Sequence, residues 1–368
     1  MRVPFIDLTR EYREITQEVH RAFEQVMKSG HFVLGNEGEL FEKEFARYCG
    51  VPFAVSVNSG TDALFFSIRA LGIGQGDEVI LSANTFISCA YAISSVGAVP
   101  VFVDIDMETY NIDPVCVEAA VTKKTKAIIG VHMYGQIARM EELRAVAKKH
   151  SLFILEDASH AHGALYKKKR AGSFGDIGVF SLYPTKNMGV YGDGGIVTTR
   201  SKKIAENIRS LRNYGQTKKY HYEIMGYNSR LDELQAAFAR IKLRYLDEWN
   251  RRRIAAARMY SKLLADVPVK LPVQEFGTRH VYYTFVIRTE KRDGLQEYLR
   301  RHGIETLVHY PVPIHQQTVF TKLKHRTESV HYTEHYSREI ISLPLSPWIT
   351  PEEIEYVCTY VSSYFSRH

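Results

Sequence analysis

The chain of 368 residues is short of the features that would take it outside ordinary globular chemistry. Its 4 cysteines, Cys49, Cys89, Cys116 and Cys358, form no C-x-x-C pair, which argues against structural zinc or a disulfide framework. They read as small buried hydrophobes. No apolar run reaches the roughly 18 residues that a membrane-spanning helix needs. The segment 1–13 carries Asp7 and Glu11 and no long apolar stretch, so it does not read as a secretory signal, and a cytoplasmic protein is expected. There is no internal repeat, no low-complexity tract and no appended helix-turn-helix. The net charge of +7 is dispersed, with short clusters only at 167–170 and 251–253. That pattern disfavours nucleic acid as a partner and suits a small anionic ligand. The run Gly72-Ile73-Gly74-Gln75-Gly76-Asp77 follows a helix and precedes a strand, the reverse of a dinucleotide-binding loop, so a dehydrogenase reading has no fingerprint to rest on.

What is present alternates. The short β-branched runs 53–57, 79–82, 99–103, 127–131, 152–155, 177–182 and 195–198 read as strands. Helical patterns at 61–71, 87–96 and 140–150 separate many of them, and two more helices, 9–27 and 39–48, precede them around a glycine-containing stretch at 30–38. This predicts an α/β fold, a mostly parallel sheet flanked by helices. From Leu231 the apolar residues Leu234, Phe238, Ile241, Tyr245 and Trp249 recur every three or four positions, the mark of one long helix running to about residue 264. Beyond it, strands at 281–288 and 306–310 and helices at 293–302 and 351–365 predict a smaller α+β unit. The division is drawn as a large cofactor-binding domain, 1–250, and a small C-terminal domain, 251–368, with a substrate-lining segment.

Two strand ends carry chemistry. Ile154-Leu155-Glu156-Asp157 closes an apolar run on an acid, and Ser181-Leu182-Tyr183-Pro184-Thr185-Lys186-Asn187 follows another with a lysine. A lysine nucleophile and an enclosed carboxylate are what pyridoxal 5'-phosphate needs: Lys186 holds the aldehyde as a Schiff base, and Asp157 keeps the pyridine nitrogen protonated. Val57-Asn58-Ser59-Gly60-Thr61 passes from a strand through glycine into a helix start, where free N–H groups can bind a phosphate. The same residues also read as a plain helix cap. Ser181 is placed as a second phosphate ligand. His160 and His162 stand two apart but lack the companion ligands of a metal site, and no metal is expected.

Together these segments resemble the nucleotide-sugar aminotransferases of the DegT/DnrJ group, which share the aspartate aminotransferase fold. The resemblance runs over nearly the whole chain. It includes Asn58-Ser59-Gly60-Thr61-Asp62-Ala63-Leu64, Ala83-Asn84-Thr85-Phe86, Glu156-Asp157-Ala158, Gly172-Ser173-Phe174-Gly175-Asp176, Pro184-Thr185-Lys186-Asn187, Tyr191-Gly192-Asp193-Gly194-Gly195 and Asn228-Ser229-Arg230-Leu231-Asp232-Glu233. It implies that Lys186 is the catalytic residue, that Asp157 pairs with the pyridine nitrogen, that Phe86 stacks on the ring, and that Gly60, Thr61 and Ser181 hold the phosphate. It further implies a homodimer in which Asn228 of the neighbouring subunit completes the phosphate site. His160 stands where the family commonly has glutamine, and would contact the phenolic oxygen.

The resemblance also suggests the substrates, L-glutamate and a nucleotide-linked keto sugar. The run Val308-His309-Tyr310-Pro311-Val312-Pro313-Ile314-His315 is similar to that of relatives that aminate C-3, which implies a dTDP-linked 3-keto-6-deoxyhexose giving a 3-amino-3,6-dideoxy sugar. His309, Tyr310 and His315 would line the sugar pocket, with Tyr183 and Arg230 nearby. The alternatives are amination at C-4, a UDP-linked sugar, or a non-catalytic relative that binds the cofactor and regulates.

Overall fold

The computed structural model describes residues 1–367. Its helices are α1 (Leu8–Ser29), α2 (Asn36–Cys49), α3 (Gly60–Ala70), α4 (Ser88–Ser95), α5 (Pro114–Ala120), α6 (Met140–His150), α7 (Lys202–Leu211), α8 (Glu233–Leu263), α9 (Arg292–Arg301), α10 (His331–Tyr336) and α11 (Pro351–Arg367). The first strands are β1 (Phe53–Val57), β2 (Glu78–Ser82), β3 (Val99–Val103), β4 (Thr125–Val131), β5 (Phe153–Asp157), β6 (Leu165–Tyr166), β7 (Lys169–Arg170), β8 (Ile177–Ser181) and β9 (Gly195–Thr199). After them come β10 (Gln216–Lys218), β11 (His221–Tyr222), β12 (Thr278–Arg279), β13 (Phe285–Arg288), β14 (Arg326–Thr327) and β15 (Ile340–Leu343).

Eight strands form one sheet in the order β1-β9-β8-β5-β4-β2-β3-β14. Every neighbouring pair is parallel except those made by β9, which runs against both β1 and β8. The strands are apolar on both faces because both faces are covered. Strand alternation divides neighbouring residues between two cores. Leu81, Ile129 and Leu155 pack with α3 and α4 on one side. Ile80, Ile128 and Ile154 pack with α2, α6 and the first half of α8 on the other. Each such side chain, fully buried, contributes about 2 kcal/mol.

The seam of apolar residues does become one helix, the 31-residue α8. Its N-terminal half packs Ala236, Ala239 and Leu246 into the large core. Its C-terminal half gives Ala256, Ala257 and Tyr260 to a separate core with β13, β15, α9, α11 and Val3. Two reversals blur a simple split of the chain. Val3 bridges to Ile304 at the start, and β14 returns to pair with β3.

Three local expectations are corrected. The strand expected at 306–310 is absent, and only Leu307 pairs, with Ser342, before the Pro-containing segment turns away. The strand expected at 281–288 is confined to Phe285–Arg288. The helix expected from residue 39 begins at Asn36, inside the glycine-containing stretch. Its start is capped from far along the chain: the Glu233 carboxylate accepts the N–H groups of Gly35 (2.9 Å), Glu37 (2.8 Å) and Gly38 (3.0 Å). No local pattern announces a cap delivered by another helix.

Helix α1 is held to α8 by a buried ion pair, Glu11 with Lys242. The Lys242 ammonium lies 3.8 Å from the Tyr191 ring centroid, just before Asp193. Burial pushes the Glu11 carboxyl up and the Lys242 amine down. Each therefore depends on the other to remain charged. Glu11→Ala is expected to lower the free energy of unfolding by about 3 kcal/mol, since it leaves a buried cation alone. The double variant Glu11→Leu/Lys242→Met is expected to recover most of that loss. Urea unfolding of the three proteins checks both, and equal losses in the single and double variants would show that the charges do not act as a pair.

Candidate active site

Parallel strands aim their C-terminal ends at one rim, and the chain uses that rim. The ends of β1, β4, β5 and β8 open onto a cavity of about 430 Å³. Asp157 and Val131 line it from β5 and β4, Ser181 from β8, and Ser59, Gly60 and Thr61 from the start of α3. The loop between β8 and β9 adds Tyr183, Thr185, Lys186, Asp193 and Gly194. Thr85, Phe86 and Ser88 come from the approach to α4, and Tyr283, His309 and Tyr310 from the C-terminal part.

The Lys186 loop is held tightly. The Lys186 N–H donates to the Tyr183 carbonyl at 2.9 Å. A Cβ on Gly189 would stand 2.4 Å from the Pro184 carbonyl oxygen, so only glycine lets the loop fold back there. Asn187 donates to Asn250 of α8 (2.9 Å) and to the Val281 carbonyl (3.2 Å). The Lys186 ammonium lies 4.6 Å from the Tyr283 ring centroid.

Asp157 is buried, and both carboxylate oxygens are engaged: Oδ1 accepts the Ser159 N–H at 3.0 Å and Oδ2 the Cys89 thiol at 3.1 Å. Its neighbour Glu156 faces the other way, accepts three backbone N–H groups and does not line this cavity. The N-terminus of α3 lies hard against β8. A Cβ on Gly60 would meet Ser181 Cβ at 2.7 Å, so the glycine is needed for helix–strand contact as well as for access to the N–H groups. Ser59 caps α3 by accepting the Asp62 N–H at 3.1 Å, which leaves the earlier N–H groups without a partner inside the helix.

His160 stacks on Tyr283, centroids 4.1 Å apart and 17° between planes. Burial, then the Lys186, His309 and His162 charges, push His160 well below the ordinary imidazole range. His309 falls to about 4, through burial and then Lys186. The cavity therefore presents neutral imidazoles beside the Lys186 amine and the Asp157 and Asp193 carboxylates. Burial also pushes the Tyr310 phenol up.

Pyridoxal phosphate has four polar points, and the cavity has an answer to each. The α3 N-terminus with Ser181 suits the phosphate, Lys186 the aldehyde and Asp157 the ring nitrogen. The Nδ1 of His160 is buried with no partner among the described residues and is available to the phenolic oxygen. Phe86 keeps 53% of its surface exposed at the rim, free to cover the ring. The residues fit the group.

Three expected residues lie elsewhere. Asn228 is exposed and pairs with Asn213, and Arg230 donates to Asn213 Oδ1 at 2.9 Å; neither lines this chain's cavity. His315 is hydrogen-bonded to Glu334 at 2.8 Å and packs near Phe102, and it does not line this cavity. The Pro-containing run turns after Tyr310 and carries His315 away from the rim. Sequence reasoning missed Tyr283, Thr85 and Ser159. Tyr283 was hidden in an expected strand; its N–H instead donates to the Tyr134 carbonyl at 2.8 Å, which turns the ring inward.

Comparison with known proteins gives a consistent picture. The profile of the DegT/DnrJ/EryC1/StrS aminotransferase family matches residues 13–362. A pleiotropic regulatory protein of Geobacillus stearothermophilus is 42% identical over 371 residues, covering 100% of each chain. The dTDP-3-amino-3,6-dideoxy-alpha-D-galactopyranose transaminase of Aneurinibacillus thermoaerophilus is 45% identical, covering 98% of this chain and 99% of its own. Among solved structures, DesV of S. venezuelae in complex with a ketimine intermediate superposes with a TM-score of 0.97 at 45% identity, covering 100% of this chain and 99% of that one.

The segment that delivers Tyr283 also predicts acid sensitivity. His280 is buried, stacks on Tyr282 at 3.9 Å, and accepts the Tyr282 N–H at Nδ1 (2.9 Å), which requires that nitrogen unprotonated. Burial lowers it to about 3. The folded state therefore binds fewer protons than the unfolded state below pH about 6.5, so stability is fully present above that pH and is lost as pH falls. At pH 5 the loss from His280 alone is about 2 kcal/mol relative to pH 7. Urea midpoints at both pH values should fall less in His280→Gln than in the parent; equal falls would remove His280 from the cause.

Proposed function

Because the chain belongs to the DegT/DnrJ/EryC1/StrS aminotransferase family, we propose that it moves an amino group from L-glutamate to C-3 of a dTDP-linked 3-keto-6-deoxyhexose, giving a dTDP-3-amino-3,6-dideoxyhexose. Its fold is that of the type I pyridoxal-phosphate enzymes, and it is a pyridoxal-phosphate-dependent nucleotide-sugar aminotransferase. The observation that carries the reading is that Lys186 and Asp157, from two different strand ends, line one cavity.

When bound, pyridoxal phosphate supplies an electron sink that makes the donor's α-proton removable. The protein's part follows from its residues. Gly60, Thr61 and Ser181 bind the phosphate, and Phe86 covers the ring. Asp157, already oriented by two donors, holds a proton on the ring nitrogen by its negative charge. His160 stays neutral and offers Nδ1 to the phenolic oxygen. Lys186 Nζ, once displaced by the amino donor, would take a proton from the donor's α-carbon and return it to the cofactor's former aldehyde carbon, and the second half of the exchange would run the same transfers in reverse on the sugar.

Tyr183, His309 and Tyr310 line the same cavity and are assigned to the sugar. The name of the Aneurinibacillus relative supports both the dTDP carrier and amination at C-3. A homodimer with a shared site is part of the proposal, Asn228 and Arg230 reaching the neighbouring subunit's cavity. In support, both lie outside their own cavity, Arg230 stands over the exposed Tyr214 ring, and Tyr220, Tyr222 and Met225 of the preceding segment are exposed as well.

The test is product mass after incubation with L-glutamate and matched 3-keto and 4-keto sugars on dTDP and UDP. Amination of the dTDP-linked 3-keto sugar is expected to be preferred, and Lys186→Ala is expected to lower the rate by at least about 10³-fold. Preference for the 4-keto compound overturns the regiochemistry, and preference for UDP overturns the carrier. No product from any sugar would favour a regulator.

A further inference from the structure

Of the 4 cysteines, Cys49 and Cys358 pack among apolar side chains, and Cys116 is half-buried. Cys89 differs. It sits in the first turn of α4, fully buried, and its thiol points at Asp157, a carboxylate that lines the cavity. The Sγ to Asp157 Oδ2 distance is 3.1 Å, between residues 68 apart in sequence. The Ser159 N–H occupies the other oxygen, Oδ1, at 3.0 Å. Each oxygen so carries one protein donor and keeps acceptor capacity for a ligand.

We propose that Cys89 is a positioning residue that acts through Asp157, its thiol setting the orientation and basicity of the carboxylate that meets the cofactor's ring nitrogen. The assignment rests on the reading of Asp157 given above. Burial and the Asp157 charge both push the thiol well above its ordinary range, so the sulfur keeps its proton and donates. The Thr85 side chain, itself lining the cavity, is within hydrogen-bonding reach of the same sulfur. The sulfur therefore links the loop carrying Phe86 to the acid at the ring nitrogen. A thiol is a weak donor. It fixes the carboxylate's direction while leaving the oxygen a strong acceptor for a cationic N–H, which a stronger donor would partly quench.

The experiment uses the full-length protein freed of cofactor and reloaded with ¹⁵N-labelled pyridoxal phosphate. It reads the dissociation constant and the chemical shift of the ring nitrogen in the parent, Cys89→Ala, Cys89→Val, Cys89→Ser and Asp157→Asn. Valine fills the thiol's space without a donor, and serine keeps a donor in less space. Cys89→Ala and Cys89→Val are each expected to weaken binding about tenfold, the scale of one hydrogen bond to a charged group, and to move the nitrogen signal toward unprotonated pyridine. Cys89→Ser is expected to stay within about threefold of the parent. A Cys89→Val protein that matches the parent would show that the thiol only fills space, and the proposal would fall. It would fall equally if alanine and serine gave the same change. Thermal unfolding identifies any variant that fails to fold, and alanine against serine then decides. An Asp157→Asn protein indistinguishable from the parent would instead overturn the role of Asp157, a separate outcome.

Discussion

The geometry of the site depends on a carboxylate that never touches it. Glu156, with no solvent exposure, accepts the N–H groups of Phe174 and Gly175 at Oε1, both at 2.7 Å. At Oε2 it takes the Gly172 N–H at 2.8 Å and His132 at 3.0 Å. These charge-assisted bonds tie the end of β5 to the segment that enters β8. A buried carboxylate is tolerable only when so fully satisfied. Strand alternation then fixes its neighbour: with Glu156 turned into this network, Asp157 must face the other side, where the cavity is.

The second constraint is the single reversed strand. Between β8 and β9 the chain leaves the rim and returns to it, so the intervening loop has to fold across the strand ends. That loop carries Lys186. Close approaches hold it there. A Cβ on Gly195 would stand 2.2 Å from the Ser59 carbonyl oxygen, and one on Gly60 would strike Ser181. The helix start, the acid and the amine share one rim because small residues let three backbones converge.

The C-terminal part closes the other side by polar contacts. Tyr283 is carried by backbone bonds to the segment at Tyr134, and the Tyr134 hydroxyl donates to the His309 carbonyl at 2.6 Å. A small core built around α8, β13 and β15 thus presents Tyr283, His309 and Tyr310 to a rim made by the large sheet. Of the residues proposed for the cofactor, Asp157, Ser181 and Gly60 stand on strand ends and a helix start, whereas Lys186, Phe86 and His160 stand on loops, as do Tyr183, His309 and Tyr310, proposed for the sugar. Packed elements hold their groups rigidly, and loops are where related chains can vary.

How much was legible follows from which forces are local. Strand and helix periods made the parallel α/β fold readable, because burial on one or two faces repeats along the chain. That Asp157, Ser181 and Gly60 lie at element ends was readable too, since the first two end apolar runs and Gly60 opens a helix; Lys186 follows β8 by five residues. The Glu233 cap on α2, the loss of the strand at 306–310, the inward turn of Tyr283 and the departure of His315 were not. Nor was Cys89 behind Asp157. Those depend on partners tens to hundreds of residues away, and a pattern of neighbours contains no record of what distant backbone will supply a hydrogen bond. The sequence by itself determined most of the order of elements, the acid that ends β5 and the lysine in the loop beyond β8. Tertiary structure alone decided which side chains meet across the rim, because only packing brings donors and acceptors from separate elements within about 3 Å.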